Sequence, residues 1–331
     1  MIDPEEPVSD PAGFIGQAGL VRRIYSRIGA DRPQSVAVIG GKKSGKTSLL
    51  ACISDDEGKM RALADGDRFL FARMGAQGET FRDPEAFLAA LLALLPVSDG
   101  DRGNRYEAVR GRIDSLHAAG RRVIVFLDDF HFITTNPLFP LEFFSFLRSM
   151  ANNYNLAYVT TSILELQKLC AVKDVQESPF FNIFTNLHLG MLSAQDSRAL
   201  FLRLTSLGEA LADRVTGWCG GSPYLIKLAA VRLLQEKSPE ALDEERLERI
   251  LAPVVAPYFA EVVAQLPPAA YKPLLAISKG KGPDPSNVHY LDPLIKQGFL
   301  VEAGEGISCF SPGFAQFLRQ GLGSGMLTGK G

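Results

Sequence analysis

The sequence predicts an α/β fold: a parallel sheet with helices on both faces, followed by an all-helical segment and a small helix–helix–hairpin unit. Three observations predict it. Residues 35–48, SVAVIGGKKSGKTS, pass from a short β-branched stretch through a glycine-rich loop into helical spacing. Val123 to Leu127 is an unbroken apolar run closed by Asp128-Asp129, and such a run suits a parallel strand buried on both faces. From Ser193 the strand signal stops and helical spacing takes over, until two apolar arms flank a Gly-containing turn at 299–310.

The glycine loop organises the rest. Gly40 to Thr47 fits G-x-x-x-x-G-K-[ST], the phosphate-binding P-loop. Backbone N–H groups must point inward at phosphate oxygens, so glycines replace side chains that would block them. The following helix, with Leu49, Leu50 and Ile53 on one side, adds the partial positive charge of its N-terminus. Gly40, Gly41, Lys42, Lys43, Ser44, Gly45, Lys46, Thr47 and Ser48 are therefore the candidate nucleotide-binding residues. Lys46 can reach the β- and γ-phosphates, and Thr47 supplies a hydroxyl to Mg²⁺.

The elements follow in order. Residues 1–12, acidic and Pro-rich, form a flexible lead-in. Leu20, Ile24 and Ile28 fall at helical spacing, with Arg22, Arg23 and Arg27 on the wetter side. Phe14-Ile15-Gly16 before them is either a helix-entry staple or an apolar wall for a nucleotide base, which makes Ile15 and Gly16 candidate contacts. Asp67 to Met74 reads as the second strand, and 83–95 and 104–119 as helices around a loop. The strand at 123–127 ends in two carboxylates, where open α/β sheets bind ligands. This is the form of a Walker B motif. Asp128 would hold Mg²⁺, and Asp129 would orient or deprotonate the attacking water.

Residues 138–153 read as a helix whose aromatics, Phe139, Phe143, Phe144 and Phe146, are core contacts. Leu156 to Thr161 is the next strand. Its end, Thr160-Thr161-Ser162, offers hydroxyls that either cap the strand or sense a γ-phosphate. Arg148, on the helix before that strand, reads as a surface cation or as an arginine finger. A last strand lies near Thr185 to Leu189.

Helices follow at 193–205, 209–218, 222–236 and 242–264. In Gly220-Gly221-Ser222-Pro223, Ser222 fits an N-cap and Pro223 the first helical position; the same turn would also suit contact with a bound nucleotide. Beyond Pro267-Pro268, helices at 269–279 and 286–297, a hairpin and a short helix at 314–318 give a winged-helix pattern. Its charges suit protein contact better than DNA, since Glu302 and Glu305 sit on the wing and the second helix has no Arg.

Composition excludes several classes. A net charge of −2 gives no global pull toward nucleic acid or an anionic membrane. The four cysteines, Cys52, Cys170, Cys219 and Cys309, are scattered, which disfavours zinc and fits a reducing cytoplasm. No stretch approaches the ~20 apolar residues of a membrane span. The N-terminus is unlike a signal peptide.

In order, these motifs resemble the STAND class of P-loop ATPases, signal-transducing relatives of the AAA+ proteins that include archaeal-type ATPases. The resemblance covers roughly residues 13–320. FIGQAGLVRRI resembles the opening stretch of the class, IGGKKSGKTSLL its Walker A region, VFLDDF its Walker B strand and GGSPYLIKLA its G-x-P lid motif. SPFFNIF and LSAQDS are also similar to this class. The chain departs at Gln17, where Arg is usual, and at TTSI, which lacks the Arg often found after the fourth strand. No Met-His-Asp motif occurs near the C-terminus.

The expected architecture is a sheet in order 5-1-4-3-2 within a core at 13–192, a helical lid at 193–265, a winged helix at 266–320 and a disordered tail at 321–331. The resemblance implies an ATP/ADP- and Mg²⁺-dependent switch, with ADP held at the junction of the three parts and Pro223 among its contacts. The partner it implies is a separate effector or sensor chain, with nucleotide-dependent homo-oligomers also open. A slow, gated ATPase is expected, with Lys46 and Asp129 catalytic. Two other readings stay open: an AAA+ initiator or transposition-type ATPase acting on DNA, and a nucleotide-stabilised scaffold that never hydrolyses.

Overall fold

A computed structural model describes residues 2–75, 78–97, 103–282, 284–303 and 306–321. The chain forms two compact units. One comprises residues 7–42 and 46–189; the other comprises 1–6, 43–45 and 190–331.

In the first unit five strands, β1 (Ser35–Ile39), β2 (Phe69–Met74), β3 (Arg122–Leu127), β4 (Leu156–Ser162) and β5 (Phe184–His188), make one sheet in order β2-β3-β4-β1-β5. All neighbours are parallel. Read from the other edge this is the expected 5-1-4-3-2. The alternation of side chains along each strand divides the core between two faces. Val36, Val38, Ile124, Phe126, Ala157 and Val159 meet α1 (Ala18–Ile28) and α2 (Lys46–Ile53) on one face. Ala37, Val123, Val125, Leu127, Leu156 and Tyr158 meet α4 (Pro84–Leu94), α5 (Arg105–Ala118) and α7 (Leu141–Asn153) on the other. α1 buries Leu20, Ile24 and Ile28 and exposes Arg22, Arg23 and Arg27, as its spacing predicts. Three short helices, α3 (Asp56–Ala62), α6 (His131–Thr134) and α8 (Lys173–Gln176), carry too few turns to show a period in sequence.

Boundaries differ where glycine or proline intervenes. Gly66–Arg68 is a 3₁₀ turn, so β2 starts at Phe69 and not at Asp67. α7 starts after Pro140, not at 138, because Pro140 is its extended N-cap residue. In the lead-in the Val8 N–H donates to Ser48 Oγ at 2.9 Å.

The second unit contains α9 (Ala194–Thr205), α10 (Glu209–Cys219), α11 (Pro223–Leu233), α12 (Glu244–Ala264), α13 (Tyr271–Ser278), α14 (Asp292–Lys296) and α15 (Pro312–Gly321). An antiparallel hairpin pairs β6 (Leu300–Ala303) with β7 (Gly306–Cys309). Phe259, Phe299, Phe310 and Phe314 pack together, joining α12, the hairpin and α15. α12 runs through Pro253 and Pro257. The helix expected at 286–297 is instead a 3₁₀ segment, Pro285–Leu291, leading into the five-residue α14. Pro293 lacks the N–H that a continuous helix would donate to the His289 carbonyl. Gly321 closes α15, so the expected tail does not begin there. Residues 322–331, Glu305 of the expected wing and 98–102 of the expected loop lie outside the described residues. Among the described residues no single helix is long and apolar enough to cross a membrane.

Candidate functional site

Gly40 and Gly41 follow β1 directly and are buried. The Gly40 N–H donates to the Ser162 carbonyl at the end of β4, at 3.1 Å, which anchors the start of the loop to the sheet. Two loop residues have positive φ: Lys43 at 60° and Gly45 at 97°. A side chain at the Gly45 angle is strained, so glycine is the natural occupant. α2 then begins at Lys46.

Lys46 is only 6% exposed. Its ammonium donates to the Gly40 and Gly41 carbonyls at 3.0 and 2.8 Å. Burial pushes its pKa down, and the charges of Asp129 and Asp128 oppose that shift. The amine is thus held against its own loop by neutral acceptors, in the field of two carboxylates. Ser44 Oγ is buried and has no hydrogen-bond partner among the described residues.

Asp128 and Asp129 follow β3. Asp128 is 8% exposed. Its Oδ1 accepts from the Thr161 hydroxyl at 2.6 Å. The same hydroxyl oxygen accepts from the Asp129 N–H at 2.7 Å. Thr161 therefore ties the end of β4 to both acidic residues, while the Phe130 N–H donates to the Thr161 carbonyl at 2.9 Å. β4 lies between β1 and β3 in the sheet, so this bridge sits beside the strand that feeds the glycine loop. Asp129 has φ of 50°, a left-handed conformation that Asp tolerates better than most residues. Burial raises the pKa of its carboxyl and the Asp128 charge adds to the rise; Lys46 and His131 pull the other way. His131 Nδ1 lies 3.8 Å from Asp129 Oδ1, and its pKa is lowered, chiefly by burial.

Four groups of sequence candidates thus meet in the first unit: the start of the loop, Lys46, Asp128 and Asp129. Thr47 and Ser48 sit in the first turn of α2, half-buried. Ile15 and Gly16 are half-buried, between a 3₁₀ turn at Pro11–Gly13 and α1, and Phe14 packs against the α1/α2 face of the core. Lys42 is exposed. Lys43, Ser44 and Gly45 group with the second unit, as does Pro223. Pro223 is the first residue of α11, and the Ser222 hydroxyl caps the helix by accepting from the Leu225 N–H. The turn before it is fixed by close packing: a Cβ on Gly220 would lie 2.3 Å from the Phe310 carbonyl oxygen, and one on Gly221 2.5 Å from that of Leu192. Arg148 is half-buried with its Nε unpaired, which is not the free surface position of an exposed cation.

Sequence reasoning singled out the Thr160-Thr161-Ser162 cluster without separating its members. The alternation along β4 separates them, since Thr160 and Thr161 face opposite sides. His131 belongs to no motif, and Tyr224, though it lies within GGSPYLIKLA, has no role that the motif assigns.

A family model described as "Novel STAND NTPase 2" matches residues 30–236. The chain is similar in fold to a Walker-type ATPase of Pyrococcus abyssi, with a TM-score of 0.67 at 14% identity over 95% of this chain and 99% of that one. It is also similar to the ORC2 protein of Aeropyrum pernix in its ADPNP–ADP complexes, with a TM-score of 0.58 at 14% identity over 98% and 96%. No curated protein is significantly similar to the chain in sequence.

Proposed function

Because the chain belongs to the Novel STAND NTPase 2 family, we propose that it is an ATP-binding, slowly hydrolysing switch that passes its nucleotide state to a partner protein. The observation that carries this reading is the convergence of a buried Lys46 ammonium with the Asp128 and Asp129 carboxylates beside the glycine loop. The donor set fits a nucleotide triphosphate with Mg²⁺. Among the described residues Ser44 Oγ is buried in the loop without a hydrogen-bond partner, and the Lys46 ammonium donates to two backbone carbonyls. Thr47 and Asp128 would hold the Mg²⁺, which when bound neutralises charge on the phosphate oxygens.

The residues of the chain divide the remaining work. Lys46 exchanges carbonyl partners for β- and γ-phosphate oxygens. Thr161 holds Asp128 in place and fixes the backbone of Asp129. Asp129 orients the attacking water and accepts its proton. Gly40 to Ser48 form the phosphate cradle, with Ile15, Gly16 and Pro223 as further nucleotide contacts. Support for adenine nucleotide comes from the Aeropyrum protein of like fold, described with ADPNP and ADP.

Slow turnover follows from what stands at the base position, an Asp and not the longer Glu, and from Arg148 being half-buried. An arginine finger is worth about 10³–10⁵ in rate, so hydrolysis without one is slow. Slow hydrolysis suits a switch whose two nucleotide states differ in conformation. In this reading residues 13–192 are the core, 193–265 a lid and 266–320 a winged helix that contacts protein. Within that last segment the second helix carries Asp292 beside Lys296 with no Arg, and the hairpin carries Glu302, a poor set for phosphate-backbone contact. Steady-state phosphate release by the purified chain, with Asp129→Asn as control, tests the proposal. Turnover well below one per second, lost in Asp129→Asn, is expected. Many ATP per second without a partner would exclude a switch.

A further inference from the structure

Lys43 is a loop residue whose charge is already answered from within the chain. Its ammonium donates to Glu5 Oε1 and, at 2.9 Å, to the Tyr224 hydroxyl oxygen. The Tyr224 O–H donates to the same Glu5 Oε1 at 2.6 Å. The three groups form a closed triangle, and the ammonium also lies 4.2 Å from the Tyr224 ring centroid. Burial works to lower the Lys43 pKa, yet the bonds to Glu5 and Tyr224 outweigh it and the net shift is upward.

The two donors are held differently from the acceptor. Tyr224 is 9% exposed, and its ring packs edge-on against Tyr258 at 5.1 Å. It stands in the first turn of α11, directly after Pro223. Lys43 is pinned by its left-handed backbone in a loop whose sequence is that of a phosphate cradle. Glu5, by contrast, is 59% exposed at its side chain. Its stretch is fastened nearby by the Lys227 ammonium, which donates to the Glu6 carbonyl at 2.7 Å. A hydroxyl on a buried ring and a loop ammonium thus converge on one oxyanion, supplied by an exposed side chain.

We propose that Glu5 is an internal stand-in for a nucleotide phosphate: its carboxylate takes up the Lys43–Tyr224 donor pair, and a phosphate oxygen competes with it for that pair. The inference rests on the reading of the glycine loop as a nucleotide site, and it adds two elements to that site. Tyr224 becomes a phosphate-contacting donor. The acidic lead-in becomes a competitor that sets nucleotide affinity. A partner that draws the lead-in away would thereby tighten nucleotide binding without touching the loop. Exposed ion pairs are individually weak, so the competition is worth about two- to fivefold in affinity and shrinks as salt rises.

Calorimetric titration of the full chain with ADP and with ATP, in Mg²⁺ buffer at low and high KCl, tests this. Glu5→Gln removes the charge at an exposed position and keeps the length. It is expected to bind either nucleotide about two- to fivefold more tightly than wild type at low salt, with a smaller gain at high salt. Tyr224→Phe is expected to bind more weakly than wild type. In a Lys43→Ala background, Glu5→Gln is expected to change nothing. Unaltered or weaker binding by Glu5→Gln, or a gain that persists without Lys43, would overturn the proposal while leaving the nucleotide site intact. A wild-type chain that binds neither nucleotide would overturn the site reading itself, and this inference with it.

Discussion

Thr161 and Thr160 are neighbours on β4, both fully buried, and a Thr→Val change is nearly isosteric at each. Their consequences should be opposite. The Thr161 hydroxyl donates to the Asp128 carboxylate at 2.6 Å and accepts from the Asp129 N–H at 2.7 Å. A hydrogen bond to a charged group contributes about 1.5–3 kcal/mol and a neutral one about 0.5–1.5 kcal/mol. The two are not additive within one network, so Thr161→Val should cost about 2–4 kcal/mol. The Thr160 hydroxyl is buried without a hydrogen-bond partner among the described residues, so Thr160→Val removes an uncompensated polar group and should be neutral or stabilising. Urea unfolding of both variants beside wild type, without nucleotide, measures the difference. For a unit of this size, ~1 kcal/mol moves the melting temperature by ~2–4 °C, so a thermal scan resolves it too. Equal costs at the two positions, or a larger cost at Thr160, would refute the assignment of the carboxylate bridge to Thr161.

Other outcomes follow from the same geometry. Lys46→Ala should abolish ATP binding or turnover in an equilibrium titration and a phosphate-release assay. Asp129→Asn should lower turnover about 10²–10⁴-fold with binding retained, the range for loss of a general base. The same variant should be more stable than wild type near neutral pH. Burial and Asp128 raise the native Asp129 pKa, so the native state holds that proton more tightly than the unfolded chain. The side chain's contribution is favourable below the unfolded value of about 3.9 and is lost as pH rises through the native value. The advantage of Asn should therefore fade in acid, as read by urea midpoints from pH 4 to 8. Gly220→Ala forces a Cβ to 2.3 Å from the Phe310 carbonyl at φ of 65°, and should cost about 3 kcal/mol or more in urea unfolding of its unit.

Much of the sheet was legible because parallel strands buried on both faces leave long apolar runs, as in Val123 to Leu127 and SVAVI. The glycine loop was legible because its chemistry needs fixed residue types at fixed spacing. Its followers, Lys46 and the Asp128-Asp129 pair, could be named from sequence, and the fold brings them together. What sequence did not show was the third party. Thr161 joins the acidic pair only because β4 inserts between β1 and β3, a fact of strand order and not of local pattern. The Glu5–Lys43–Tyr224 triangle joins residues more than two hundred positions apart, and no sequence pattern links them. Short elements failed for a different reason: α6 and α8 have four residues each, too few to show a period, and Pro293 breaks a pattern that periodicity alone read as one helix.

The central claim is that the glycine loop holds an adenine nucleotide. Native mass spectrometry of the purified chain and of Lys46→Ala, each incubated with Mg²⁺ and ATP, tests it most directly. The wild-type chain is predicted to carry one ADP or ATP, and the variant none. A wild-type chain that stays nucleotide-free, or a variant that carries nucleotide to the same extent, would contradict the account.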